Sequence, residues 1–295
     1  MTGKPLRVSV IVPTYRDWKA LAGCLSCLAA QTLSRQDFEI LIGNNNPEEP
    51  APEGFDLPPN ARLVWQPKPG SYAARNAAAR SARGAVLAFT DSDCRPEPDW
   101  LQNALALLDA AAYVDRIGGV VILEPNGAEW TLPELYDRVF GLRQERYVRR
   151  GYAATANLIV RRDLFERVGP FEESLYSSGD KEWNRRAQAL GSRIVLGTDV
   201  RVRHPARMTF EALKKKRLRI AGGRFRTKGK HEKRLWIPSP KYLFPALSAL
   251  RRIAREPGLT GHQVLRLWAM DYALRRAELR ELIAIRQSHG QTRRQ

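Results

Sequence analysis

Cysteine is scarce in this 295-residue chain: Cys24, Cys27 and Cys94 are the full set. Three thiols cannot close a complete set of internal disulfides, which excludes a disulfide scaffold and fits a reducing compartment, the cytosol. Cys24-x-x-Cys27 has the spacing of half a zinc site. No second pair or His pair stands nearby, and both residues fall in an Ala/Leu helical pattern that predicts buried thiols. Long apolar runs are missing as well. The best, Tyr242 to Leu250, is short and contains Pro245, well under the roughly 18 residues of a spanning helix. Met1 to Arg7 has no apolar signal core, so any meeting with a membrane is expected from one side, peripheral on the inner face of the cell membrane.

Acidic residues thin out in the last third. From Arg201 onward 25 basic residues face 6 acidic ones, a net +19, whereas the preceding 200 residues are almost neutral at −1. This asymmetry predicts an electroneutral body over residues 1–205 and a basic, mostly helical extension over 206–295, whose partners are anionic: a lipid surface, nucleic acid or an anionic acceptor. Hydrophobic residues at 43% and charged ones at 27% exclude a disordered or collagen-like chain.

What is present is an alternation of strand and helix patterns. Val8 to Val12 is a continuous β-branched run, the pattern of a strand buried on both faces, and Pro13 ends it. Asp17 is placed to cap a helix over Trp18 to Gln31, in which Leu21, Leu25 and Leu28 share a face. Phe38 to Ile42 is a second strand, stopped by Gly43 to Pro47, and Arg62 to Trp65 a third. An Ala-rich helix from Tyr72 to Arg83 ends at Gly84, and Val86 to Thr90 is a fourth strand. Strands separated by helices of this length imply crossovers and a mainly parallel sheet flanked by helices, an α/β fold with ligands at the carboxyl ends of the strands.

The loop after the fourth strand, Thr90-Asp91-Ser92-Asp93-Cys94, carries the most chemistry. Two carboxylates at i and i+2 turn toward one hard cation, and a diphosphate completes its oxygen shell; the plain alternative is a surface turn. With these pieces in place the chain resembles a family 2 glycosyltransferase of the GT-A fold, bacterial type, over about residues 7 to 205. The matching motifs are Ser9-Val10-Ile11-Val12-Pro13-Thr14-Tyr15, Arg75-Asn76, Ala88-Phe89-Thr90-Asp91-Ser92-Asp93 with Asp99-Trp100-Leu101, Asn157-Leu158-Ile159-Val160-Arg161-Arg162, Val168-Gly169-Pro170-Phe171, Gly179-Asp180 and Val202-Arg203-His204.

The resemblance implies an inverting hexosyltransferase moving sugar from a nucleotide-diphosphate donor, UDP-sugar first, to a hydroxyl of a glycan or lipid-linked acceptor in polysaccharide biosynthesis. Pro13 and Tyr15 match contacts to the base, Arg75 faces the nucleotide, Asp91 the ribose or metal water, and Asn157 the donor sugar. Asp93 and His204 match the ligands of Mn2+ or Mg2+, and Asp180 the base, with Glu182 as a stand-in. Trp183, beside Asp180, is placed either as an acceptor platform or in the core. Two positions depart from the family: Asn44 stands where an Asp usually contacts uracil or ribose, and Gly179 where an acidic residue usually precedes the base.

Beyond His204 the basic residues Lys214 to Arg217, Arg219, Arg224, Arg226, Lys228, Lys230, Lys233 and Arg234 are interleaved with Phe225, Trp236, Tyr242 and Phe244. Such a segment fits an anionic membrane surface, and on charge alone equally nucleic acid. A helix is expected over Val264 to Ile285 and a frayed tail after Gln287. Against the transferase stands one other class, an anionic-surface or nucleic-acid binding protein on an inactive transferase scaffold. The dispersed set Asp91, Asp93, Asp180 and His204 favours the transferase, because a binding module has no need for it, and nucleic acid is then the less favoured partner.

Overall fold

A computed structural model describes residues 5–46, 51–175, 177–226 and 242–287. The chain forms two compact units, Met1–Ile122 with Arg143–Pro205, and Leu123–Leu142 with Ala206–Gln295.

In the first unit β1 (Val8–Thr14), β2 (Phe38–Asn44) and β4 (Val86–Thr90) are buried at every position, as their apolar runs require, while β3 (Ala61–Trp65) keeps Arg62, Leu63 and Trp65 exposed. These four are parallel, and the register sets Thr14 opposite Asn44 and Asn44 opposite Trp65. β1, β2 and β3 therefore end level, and the loops after β1 and β2 open on one edge. Beyond β4 the sheet turns antiparallel, with β7 (Asn157–Arg161) pairing β4 and β6 (Arg116–Glu124) pairing β7. β8 (Ile194–Pro205) and the short β5 (Arg95–Pro96) complete the order β3-β2-β1-β4-β7-β6-β8-β5.

Two helices stop before their sequence patterns do. α1 (Trp18–Ala29) starts at Asp17, whose carboxylate accepts the Ala20 N–H at 3.4 Å. It ends before Gln31 because that side chain donates to the Glu97 carbonyl at 2.7 Å and accepts the Leu101 N–H at 3.0 Å. α2 (Ser71–Arg80) stops short of Arg83, whose backbone N–H is drawn to the Glu39 carboxylate at 2.7 Å. α3 (Trp100–Ala110) completes the outer layer beside β8.

In the second unit α4 (Leu132–Phe140) opens with a capping box in which Glu134 accepts from the Thr131 N–H and hydroxyl at 2.8 and 2.9 Å. Leu135, Tyr136, Val139, Leu213, Ile253, Leu267 and Leu274 form the core of this unit. In the first unit follow the short α5 (Gln144–Val148), α6 (Arg162–Val168) and α7 (Gly179–Ala189); in the second, α8 (Phe210–Arg226), α9 (Leu247–Ala254) and α10 (Gly261–Gln287).

Charge is sorted inside this second unit. Asp137, 2% exposed, takes Lys216 at 3.0 Å and Arg207 at 2.9 Å, and Arg217 bridges Asp271 at 3.1 Å and Glu278 at 2.8 Å. The run Lys214 to Arg217 is thus not one solvated cationic face, because its last two members turn inward to buried carboxylates. Lys228, Lys230, Lys233, Arg234 and Trp236, and the tail after Gln287, lie outside the described residues.

Candidate active site

The site forms at the carboxyl edge of the first unit. In the loop after β4, Cys94 N–H donates to the Asp91 carbonyl at 3.1 Å, closing a turn that leaves Asp91 and Asp93 half-buried. His204, at the end of β8, puts Nε2 3.5 Å from Asp93 Oδ2. Its Nδ1 lies 2.7 Å from the Pro205 carbonyl, which only accepts, so Nδ1 carries a proton and Nε2 is the ring nitrogen turned toward Asp93. A backbone carbonyl fixing the tautomer in this way is what a metal-binding histidine needs. Ligand atoms of Asp91, Asp93, Cys94 and His204 all lie within 4.8 Å of one another.

Two carboxylates and an imidazole lone pair fit a divalent cation. Cys94 is the weakest of the four: burial first, then Asp91 and Asp93, push its thiol well above the ordinary range, and it leans on the Ala156 carbonyl at 3.7 Å.

Arg75 reaches the cluster from α2. Gly43 makes this possible, since a Cβ there would lie 2.5 Å from the Ala74 carbonyl oxygen, so β2 and α2 approach closely only without one. The guanidinium, 5% exposed, pairs with Asp91, and its Nε is buried without a hydrogen-bond partner among the described residues. Spare donor capacity beside acidic side chains suits an anionic oxygen bridging to a shared cation.

Asp180 sits in the first turn of α7, after Ser178 at φ 67°. Its Oδ1 accepts the Lys181 N–H at 2.8 Å and faces the Tyr72 hydroxyl at 3.5 Å, while the Asp180 N–H donates to the Tyr72 oxygen at 3.2 Å. Burial raises the Asp180 carboxyl above its ordinary value and Asp91 adds to the rise, against the Lys181 N–H, Arg75 and Tyr72. A carboxylate of raised proton affinity is suited to general-base work. Glu182 instead holds Arg186 through both oxygens, at 2.9 and 3.1 Å, which commits it to the helix surface.

Of the residues expected to meet the base, Pro13 is buried at the end of β1, and Tyr15 beyond it is 60% exposed with the Arg16 guanidinium 5.4 Å from its ring centre. Asn44, level with Thr14, is buried, and its Oδ1 accepts the Asn46 N–H at 3.1 Å.

Two expected contacts are corrected. Trp183 is fully buried, donates to the Gly169 carbonyl at 2.8 Å and stacks on Phe165 at 5.5 Å, so it has no face to offer an acceptor. Asn157 is also fully buried. Its amide accepts Trp100 Nε1–H at 2.9 Å and donates to the Val120 and Val200 carbonyls at 2.9 and 2.8 Å, which spends it on joining strands rather than on a donor sugar. Tyr72 was missed by sequence reasoning; the signal was a large aromatic in an otherwise Ala-rich first turn.

A family model for glycosyl transferase family 2 matches residues 9–169. Glycosyltransferase AglE of Haloferax volcanii is 35% identical over 226 residues, 73% of this chain and 72% of that protein. A glucosyl-dolichyl phosphate glucuronosyltransferase of the same organism is 25% identical over 219 residues, 68% and 69% of the two chains. Among solved structures, mannosyltransferase PcManGT of Pyrobaculum calidifontis, in complex with GDP-Man and Mn2+, has a TM-score of 0.56 at 19% identity, covering 96% of this chain and 76% of that one. S. aureus TarS 1-349 in complex with UDP-GlcNAc has a TM-score of 0.53 at 17% identity, covering 96% and 91%. At these identities the solved structures speak to the fold, an α/β GT-A architecture.

Proposed function

The chain belongs to glycosyl transferase family 2, and on that premise we propose that it is an inverting transferase that moves a sugar from a UDP-sugar to a hydroxyl of a glycan or lipid-linked acceptor. The observation that carries this reading is the meeting of Asp91, Asp93 and His204 from two elements beside Arg75, with Asp180 of raised proton affinity across Tyr72. A binding module has no use for that combination.

Asp180 takes the proton of the acceptor hydroxyl; the freed oxygen forms the new bond to the anomeric carbon on one face while the bond to the diphosphate oxygen breaks on the other, inverting the centre. Asp93 and His204 would hold the divalent ion, Mn2+ or Mg2+, with Asp91 toward the ribose or a metal water. Such an ion, when bound, neutralises charge growing on the departing diphosphate. Arg75 meets a diphosphate oxygen, and Pro13, Tyr15 and Asn44 line the base. UDP is favoured by the UDP-GlcNAc complex of TarS, GDP by that of PcManGT, and a lipid-linked acceptor by the name of the glucuronosyltransferase relative. Turnover from a panel of UDP- and GDP-sugars with Mn2+ tests the reading: the expected result is transfer from a UDP-sugar, and no turnover with any donor returns the chain to the inactive-scaffold class.

An anionic membrane surface as a further partner rests on the second unit. There Leu243, Phe244 and Leu247 are 53%, 70% and 64% exposed, next to exposed Arg251, Arg255 and Arg276. Tyr272 and Trp268 of α10 donate to the Leu243 and Ala246 carbonyls at 2.7 and 3.0 Å and fix this turn. Apolar side chains beside exposed cations suit a lipid interface. No helix among the described residues is long and apolar enough to cross a membrane. Co-sedimentation with anionic but not neutral vesicles, lost in Phe244→Glu, is expected; better competition by duplex DNA than by lipid overturns the membrane assignment.

A further inference from the structure

We infer that Tyr72 is a positioning residue for Asp180, its ring standing in the space that the family pattern gives to an acidic side chain at 179 and its hydroxyl holding the carboxylate in place. The inference rests on Asp180 being the base. A Cβ on Gly179 would lie 2.6 Å from Tyr72 Cε2 and 2.8 Å from Cζ, so ring and side chain exclude each other. The glycine and the tyrosine are therefore one device, and the departure at 179 follows from the aromatic in the first turn of α2.

The hydroxyl exchanges hydrogen bonds with Asp180. It accepts the Asp180 N–H at 3.2 Å and is 3.5 Å from Oδ1 on the donor side. With the Lys181 N–H also on Oδ1, that oxygen is anchored twice, and Oδ2, without a hydrogen bond among the described residues, is the one to receive the acceptor's proton. The anchor is stiff: the ring is 6% exposed and packs on Phe171 at 5.6 Å. Its phenol is pushed up by burial and by Asp180, so it stays neutral and serves as a donor rather than as a second base. An acid at 179 would bring a like charge to Asp180, whereas a phenol brings a donor and none.

The same ring lies 5.6 Å from the guanidinium of Arg75, one turn along α2, which pairs with Asp91. The charged groups acting on Asp180 are accordingly Arg75 from α2 and Asp91 from the loop after β4, with the neutral Tyr72 between them. One helix turn thus serves the diphosphate side through residue 75 and the base side through residue 72.

Tyr72→Phe keeps the ring and removes the donor. Turnover should fall roughly tenfold, and the acidic limb of the kcat profile should move to higher pH, because the charged carboxylate loses a donor. Mn2+-dependent UDP affinity and KM for the donor should stay unchanged, which a merely structural role would not predict, and thermal melting should drop only by what one buried hydrogen bond contributes. As a second arm, Gly179→Glu should abolish turnover alone and recover part of it when combined with Tyr72→Ala. An unshifted pH profile at full turnover in Tyr72→Phe, with Asp180→Asn inactive, overturns the inference alone; full turnover in Asp180→Asn removes the base reading and the inference with it.

Discussion

The acids of the candidate site in the first unit and those that tie the helices of the second together are matched in opposite ways. In the second, three buried acids are closed by cations: Asp137 by Lys216 and Arg207, Asp271 by Arg217 and Arg275, and Glu278 by Arg217, with the Tyr242 hydroxyl added. In the first, Asp91 shares one guanidinium, Asp93 faces a histidine, and Asp180 is held by an N–H and a phenol. A carboxylate matched by full positive charge gains specificity of packing and has nothing left to do. One held by neutral donors keeps reactivity, and a cluster short of cations has room for a divalent ion.

The contrast breaks most sharply at Asp180. Asp180→Asn should lower turnover by roughly 10² to 10⁴ with UDP affinity nearly unchanged, since the proton is taken only in the transition state. Steady-state rates beside calorimetry read both quantities. Next comes Asp93→Ala, which should weaken Mn2+-dependent UDP binding by more than about tenfold, on the scale that ligand-shell losses reach. Equal UDP affinity with and without chelator in the parent protein removes the metal from the site.

In the second unit the same operation should hurt the fold and spare the chemistry. Asp137→Ala leaves Lys216 and Arg207 without their shared partner, and a loss of about 3 kcal/mol is expected in urea unfolding, with activity per folded molecule intact. Against burial, Lys216 and Arg207 hold the Asp137 carboxyl below its ordinary value. Its contribution is therefore present above the unfolded value and lost as pH falls through the folded one. Lys216→Glu, which sequence alone would choose to test membrane binding, sets two acids together and should unfold the unit instead. The smallest effect belongs to Glu134, whose carboxyl is lowered to about 2 by bonds from Asn126 and Thr131 that outweigh burial. Its share of stability is complete above pH 4.5 and disappears as pH falls toward 2; Glu134→Gln should flatten that part of a melting-temperature profile.

Legibility in the sequence followed the length of the signal. The runs at Val8 and Val86 and the Asp91-x-Asp93 turn were readable because burial on both faces and an abrupt loop leave continuous patterns. Helix ends were read two and three residues too far, since Gln31 and Arg83 leave their helices for partners distant in sequence, Glu97 and Glu39. The same blindness to long-range partners misplaced Asn157 and Trp183, whose amide and indole are spent on Val200 and Gly169. It also hid Tyr72, 108 positions from Asp180. Charge counting located the basic third, but which cations are free is decided by the acids they meet across helices.

The carbonyl that orients His204 belongs to the backbone of Pro205. Every residue type carries that group, so no exchange of side chain at 205 removes the acceptor itself. The phenol that steadies Asp180 is one codon change from loss. The two edges of one site therefore differ in how far random mutation can reach them, and a sequenced variant library selected for turnover should be permissive at 205 and narrow at 72.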